Sequence, residues 1–141
     1  MEDDVGNANI HRRQHREYVP RDPLTASIIR CAIEVHRTLG PGLLESVYAR
    51  CMAYEFLDAG IQFREQVAVP VFYKKARVEC GYRLDLLVAD TVIVEVKSVD
   101  RLAPVHDAQL LTYLRITGLH TGLLINFKTL RLFEGVRRLR L

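Results

Sequence analysis

An α/β fold is expected for this chain. A central mixed sheet, made of an antiparallel three-strand meander plus one parallel strand reached through a helical crossover, is flanked by helices. Three observations predict it. Early in the chain Ile28, Ile29, Ala32, Ile33, Val35 and Leu39 recur at helical spacing. From Ile61 the apolar period changes to two, and the connections that follow are too short for anything but antiparallel neighbours. From Val92 to Phe127 a strand pattern, a helical pattern and a second apolar run follow in order, as in a crossover to a parallel strand.

Composition sets the frame. With 141 residues, 49% of them apolar, the chain suffices for one core and is too short to divide usefully. Residues 1–21 hold few large apolar side chains and a basic cluster, His11-Arg12-Arg13-Gln14-His15-Arg16, and are expected to be a flexible leader. Residues 22–141 are then the single folded domain. A net charge of +3 and a pI near 8.9 permit a nucleic-acid partner without requiring one. No apolar run has the length of a membrane span or the form of a signal peptide. Cys31, Cys51 and Cys80 are odd in number and widely spaced, which suits small core residues in a reducing cytoplasm.

The elements follow in order. Asp22-Pro23 is a start signal for the first helix, with Thr25 as the competing cap, and Gly40-Pro41 ends it. His36 falls beside Ile29 and Ile33 on an apolar face, where a hydrogen-bonded core histidine is the simpler account and a substrate role the sharper one. A second helix runs from Leu43 to about Ala59, burying Leu44, Val47, Cys51, Tyr54 and Leu57 or their neighbours. Glu45 lies in its first turn, and Tyr48 points to nearly the same side. A long strand is expected from Ile61 through Tyr73, bent at Pro70, a second from about Arg77 to Val88, and a third from Val92 to Ser98. Pro104 opens a third helix ending near Gly118, with His106, Gln109 and Tyr113 as a polar stripe. Leu123-Leu124-Ile125 is a strand covered on both faces, and the tail turns at Glu134-Gly135 into an edge hairpin. Its arginines, Arg131, Arg137, Arg138 and Arg140, are expected to be solvated.

One stretch carries the chemistry. Tyr82 to Ser98 reads as two apolar strands in a hairpin, with Asp85 in the first and Glu95 and Lys97 in the second. Burying such charges costs several kcal/mol each unless they are paired or bound to a metal. Glu95 and Lys97 share a face about 7 Å apart along the strand. Asp85 joins them only if the hairpin register allows it. A two-residue turn at Ala89-Asp90 pairs Asp85 with Val94 and turns the carboxylate away; a three-residue turn, or a bulge, pairs it with Glu95. Two converging carboxylates can hold a hard cation such as Mg²⁺ and leave room for water and a phosphate oxygen. The cation then offsets transition-state charge and acidifies bound water, while a neighbouring lysine orients that water. A purely structural ion pair of Lys97 with Glu95 or Asp85 is the competing account.

These residues, in this order of elements, resemble the PD-(D/E)XK nuclease superfamily. More closely, the chain is similar to the family named for a GxxExxY motif, here Gly42-Leu43-Leu44-Glu45-Ser46-Val47-Tyr48. Ala32-Ile33-Glu34-Val35-His36, Tyr82 to Val88, Val105 to Tyr113 and Gly122 to Phe127 fit as well, so the likeness runs from about Leu24 to the C-terminus. The resemblance implies a restriction-endonuclease-like core. Asp85, Glu95 and the Val96 carbonyl would be metal ligands for Mg²⁺ or Mn²⁺, and Lys97 the motif lysine. Glu45 matches an acid that in related nucleases reaches the metal directly or through water. Gln109 and Tyr113 match a Gln-x-x-x-Tyr element that orients the lysine or contacts DNA. Leu84 stands where the superfamily name has Pro, and the four cysteines of the iron–sulfur branch are missing.

The implied function is metal-dependent hydrolysis of phosphodiester bonds, in DNA ahead of RNA, alone or as a homodimer or with a protein partner. The alternative is a catalytically silent module that keeps the fold to bind nucleic acid or protein.

Overall fold

The computed structural model describes residues 22–141; the expected leader lies outside them. Helix α1, Pro23–Leu39, begins as its sequence dictates. Asp22 Oδ1 accepts the Leu24 N–H at 3.1 Å, its Oδ2 accepts the Thr25 hydroxyl at 2.8 Å, and Pro23 fills a position that needs no N–H. Asp22, not Thr25, is the cap. Helix α2, Glu45–Asp58, follows, then strands β1 (Phe63–Ala68), β2 (Val71–Tyr73), β3 (Ala76–Val78), β4 (Arg83–Val88) and β5 (Val92–Lys97). Helix α3, Pro104–Thr117, ends on left-handed Gly118 and leads to β6 (Thr121–Asn126), a 3₁₀ turn (Leu132–Gly135) and β7 (Val136–Arg140).

The main sheet has the order β1-β4-β5-β6-β7. Its pairs β1–β4, β4–β5 and β6–β7 are antiparallel, and β5–β6 is parallel. This is the expected meander with a parallel strand reached through α3, a restriction-endonuclease-like α/β architecture. Helices α1 and α2 cover one face. There Ile28, Val35, Tyr48, Met52 and Phe56 pack on Leu86, Val88, Val92, Val94, Val96 and Phe127. Helix α3 covers the other, with Leu110, Tyr113 and Leu114 against Leu87, Ile93 and Leu124. β5 therefore alternates as expected, its valines toward α1 and α2 and Ile93 toward α3. Gly122 brings α3 close to the sheet, since a Cβ there would lie 2.8–2.9 Å from the Leu110 side chain.

Several expectations are corrected. Leu44, Val47, Tyr54 and Leu57 are exposed, and α2 buries Tyr48, Ala49, Met52, Ala53 and Phe56 instead. Large apolar residues lie on both sides of this helix, and small Ala49 and Ala53 let its inner face approach the core. The two long strands each break. Pro70 has no N–H for a ladder, and Gly81 takes φ +68°, so β2 and β3 leave the main sheet as a separate two-stranded hairpin. The tail contributes one edge strand after the 3₁₀ turn, not a hairpin. Arg137 is ion-paired with Asp107 at 2.8 Å. Cys31 is buried, but Cys80 is exposed. Among the described residues no helix is long and apolar enough to cross a membrane.

Candidate metal centre

The register at the β4–β5 turn decides where Asp85 points. Val88 pairs with Val92, Leu87 with Ile93 and Leu86 with Val94, leaving Ala89, Asp90 and Thr91 as a three-residue turn. Ala89 and Asp90 both take left-handed backbone angles, φ 51° and 54°. Asp85 and Glu95 are next in register. There the ladder stops. Glu95 Oε1 accepts the Asp85 N–H at 3.2 Å, and Asp85 Oδ2 accepts the Val96 N–H at 2.8 Å. The sheet is interrupted on the other side too: Glu65 pairs with Leu86 and Val67 with Leu84, while Gln66 between them, at φ 52°, pairs with nothing in β4. Strand alternation slips at this point. Leu84 packs with Leu87 on the α3 face, whereas Leu86 and Val88 face α1 and α2. Asp85 thus sits at a break in the sheet, with its carboxylate in the gap toward β5.

Burial and repulsion raise the proton affinity of both acids. Glu95 is pushed up to about 8, first by burial and then by the neighbouring Asp85 charge, and Lys97 only partly offsets this. Asp85 is raised chiefly by burial, against the Val96 N–H and Lys97, with Glu45 adding to the rise. Burial and mutual repulsion thus disfavour two full negative charges on the pair and favour its protonated form when no counter-cation is bound. All donors here are oxygens, the set a hard divalent cation takes. Lys97, which ends β5 on the Glu95 face, enters none of the ion pairs seen among the described residues. The structural ion pair is not formed.

Glu45 lies beside the pair rather than within it. Its Oε1 accepts the Ser98 N–H at 3.2 Å, while the Ser98 hydroxyl donates to the Leu43 carbonyl at 2.7 Å. The start of α2 is thereby pinned to the end of β5. Tyr48 fixes the same junction from below: its hydroxyl donates to the Gly40 carbonyl at 2.6 Å and accepts the Leu43 N–H at 3.0 Å, and its ring stacks on Phe127 at 4.3 Å. Gly42, at φ +100°, makes the turn that this requires. Gly42, Glu45 and Tyr48 form one brace. Among the described residues no three His, Cys, Asp or Glu side chains converge closely enough to hold a metal ion. Two carboxylates share the gap.

Helix α3 brings Tyr113 toward them. Its hydroxyl is pushed up to about 12, by burial first and then by the charge of Glu95, and its ring centroid lies 6.2 Å from that of Tyr82. Gln109 stands one helical turn earlier, half-buried. His106 is occupied otherwise, its Nδ1 accepting the Ala103 N–H at 3.0 Å as part of the helix cap. His36 is likewise structural, with Nε2 2.7 Å from the Thr129 carbonyl.

The family model of the PD-(D/E)XK nuclease superfamily matches residues 22–139. The chain belongs to that superfamily. No curated protein and no solved structure matches it. Leu84, which precedes Asp85, is buried on the α3 face.

Two positioning residues escape a sequence reading. Ser98 ties β5 to α2, as described. Asn126, buried at the end of β6, accepts the Val99 and Lys128 N–H groups at 3.1 and 3.2 Å and donates to the Val99 carbonyl at 2.8 Å. It holds the segment leaving Lys97. A polar side chain closing the apolar run Leu123-Leu124-Ile125 was the signal available.

Proposed function

We propose that the chain is a metal-dependent nuclease that hydrolyses phosphodiester bonds, DNA in preference to RNA, and that it belongs to the GxxExxY branch of its superfamily. Asp85, Glu95 and the Val96 carbonyl would hold Mg²⁺ or Mn²⁺. The observation that carries this reading is the Asp85–Glu95 pair, a half-buried and a buried carboxyl facing one another where the β4–β5 ladder gives way. Such a pair is destabilising as two bare anions, and a bound divalent cation would offset that repulsion.

A cation bound there supplies charge neutralisation at the phosphate and a lowered pKa for bound water. The remaining work falls to side chains. The Lys97 ammonium is available to hydrogen-bond the attacking water or a phosphate oxygen. Tyr113, whose hydroxyl stays protonated at any ordinary pH, can only donate or accept a neutral hydrogen bond, which suits positioning the phosphate or the lysine. Gln109 provides an amide on the same helix. Glu45, held by the Ser98 N–H, adds negative charge near Asp85 and can engage a water next to the cation. The free cysteines are in keeping with a reducing cytoplasmic setting.

Purified protein given Mg²⁺ or Mn²⁺ should cut DNA, and Glu95→Ala should abolish cutting while the chain stays folded. Wild-type protein that cuts no DNA or RNA with any divalent metal sinks the reading. The competing account, a fold that binds without cutting, draws on the two main-chain bonds, since an acid pair that closes a gap in a sheet has structural value. Nucleic-acid binding that ignores metal and survives Asp85→Ala, with no cutting, favours it.

A further inference from the structure

The β2–β3 hairpin has no part in the core of the main sheet beyond its base, yet it is built from side chains that bind. Residues 71–83 carry four basic residues against one acid, so this short segment holds a net charge equal to the +3 of the whole chain. Phe72 and Tyr73 are 62% and 68% exposed at its tip, and Tyr82 is 51% exposed at its base. The cross-strand pairs are Val71 with Val78, Phe72 with Arg77 and Tyr73 with Ala76. One face of the ribbon therefore presents Phe72 beside Arg77, and the other presents Tyr73, with Lys74 5.4 Å above its ring. Each face joins an aromatic ring to a basic side chain, Lys74 over Tyr73 on one and, on the other, Arg77 opposite Phe72 and ion-paired with Glu79 at 3.2 Å.

The hairpin also leads to the candidate centre. Val71, on the Tyr73 face, packs into the cluster that contains Tyr113, and Val69 N–H to Tyr82 carbonyl, 2.9 Å, closes its base. From there the chain runs straight into β4, and Asp85 is three residues beyond Tyr82. The ring of Tyr82 in turn approaches Tyr113.

We propose that this hairpin is a binding arm for an unpaired stretch of nucleic acid, which it leads toward the Asp85–Glu95 gap. The inference rests on the nuclease reading and names its substrate class. Exposed rings stack only on base faces that are themselves exposed, and a duplex buries those faces against neighbouring pairs. Lysines alone would serve a duplex equally well, through phosphates. It is the pairing of ring and cation that selects a single strand, a loop or a frayed end. An apolar docking face for a protein would not interleave its rings with Lys74, Lys75 and Arg77.

The test uses wild-type protein in EDTA, so that nothing is cut, with a labelled oligothymidylate and a duplex of equal length. The single strand should bind about tenfold or more tightly than the duplex, and Phe72→Ala or Tyr73→Ala should each weaken that binding by about 5- to 100-fold with little change for the duplex. The chain has no tryptophan. Phe72→Trp therefore installs a single indole whose emission should be quenched by the oligothymidylate. Equal or better duplex binding, or single-strand affinity indifferent to both rings, overturns the inference. So does loss of self-association in these variants with nucleic-acid binding unchanged, which would make the hairpin a protein contact. A protein that cuts nucleic acid yet ignores Phe72 and Tyr73 overturns the arm alone; one that binds through them but never cuts overturns the nuclease reading alone.

Discussion

Asp85 and Glu95 face each other across β4 and β5 at the first position where the ladder fails, and their carboxylates take the N–H groups that the ladder leaves over, Val96 at 2.8 Å and Asp85 at 3.2 Å. The arrangement satisfies two partly buried donors while keeping two acids within mutual repulsion. Its instability as a pair of anions is the physical basis of the metal site proposed above.

Stability of the metal-free protein should fall with rising pH. Glu95 is raised from 4.5 to about 8, so between these values the folded state keeps a proton that the unfolded chain has released. The native advantage is full below about pH 4.5 and is lost as pH climbs through the folded value. Urea midpoints in EDTA should decline from about pH 5 to about pH 8.5 for wild type and decline less for Glu95→Gln. Equal slopes for the two proteins would show that Glu95 titrates normally.

The brace between α2 and β5 should be worth measurable stability. Tyr48→Phe removes the hydroxyl that serves both the Gly40 carbonyl and the Leu43 N–H, two partly buried groups, and should cost about 0.5–2 kcal/mol by urea denaturation. Ser98→Ala should cost about 0.5–1.5 kcal/mol, because its site is more open. A Tyr48→Phe variant as stable as wild type would remove the brace from the account.

How legible was this from the residues alone? The alternation of β5 put Glu95 and Lys97 on one face, and the structure keeps it. The register was not legible. Ala89 gives no sign that it adopts a left-handed backbone, so the sequence admitted both a two- and a three-residue turn, with opposite consequences for Asp85. The breaks in the long strands were half visible: Pro70 announced one, whereas the interruption at Gln66 had no marker. On α2 the apolar pattern misled, because Leu44, Val47, Tyr54 and Leu57 form a regular stripe that remains in solvent. Glu45 was recognisable as a candidate, but its bond to the Ser98 N–H depends on two elements far apart in sequence.

Close approach of α3 should depend on Gly122. Gly122→Ala drives a methyl group into Leu110 and should destabilise by about 1–3 kcal/mol, displacing the helix that carries Gln109 and Tyr113. Adding Leu110→Val should recover part of the loss, so that the double variant is less destabilised than the two single changes together. Strict additivity would argue against the contact.

Lys97 should separate chemistry from stability. Because it enters none of the ion pairs seen, Lys97→Met should change stability by less than about 0.5 kcal/mol at acid pH, where the facing acids are protonated and its charge has nothing to offset. Cleavage, if the lysine orients the attacking water, should drop by about 10²–10⁴-fold. A large loss of stability with cleavage intact would reverse the assignment and make Lys97 structural.

The most direct measurement is the number of Mn²⁺ ions bound per chain, read from the free-ion electron paramagnetic resonance signal as protein is titrated in. Wild-type protein should bind Mn²⁺ at a site that Asp85→Asn and Glu95→Gln each remove, with binding tightening as pH rises and the shared proton is displaced. Wild-type protein that leaves the Mn²⁺ signal unchanged, or variants that bind as wild type does, would contradict a metal centre between Asp85 and Glu95.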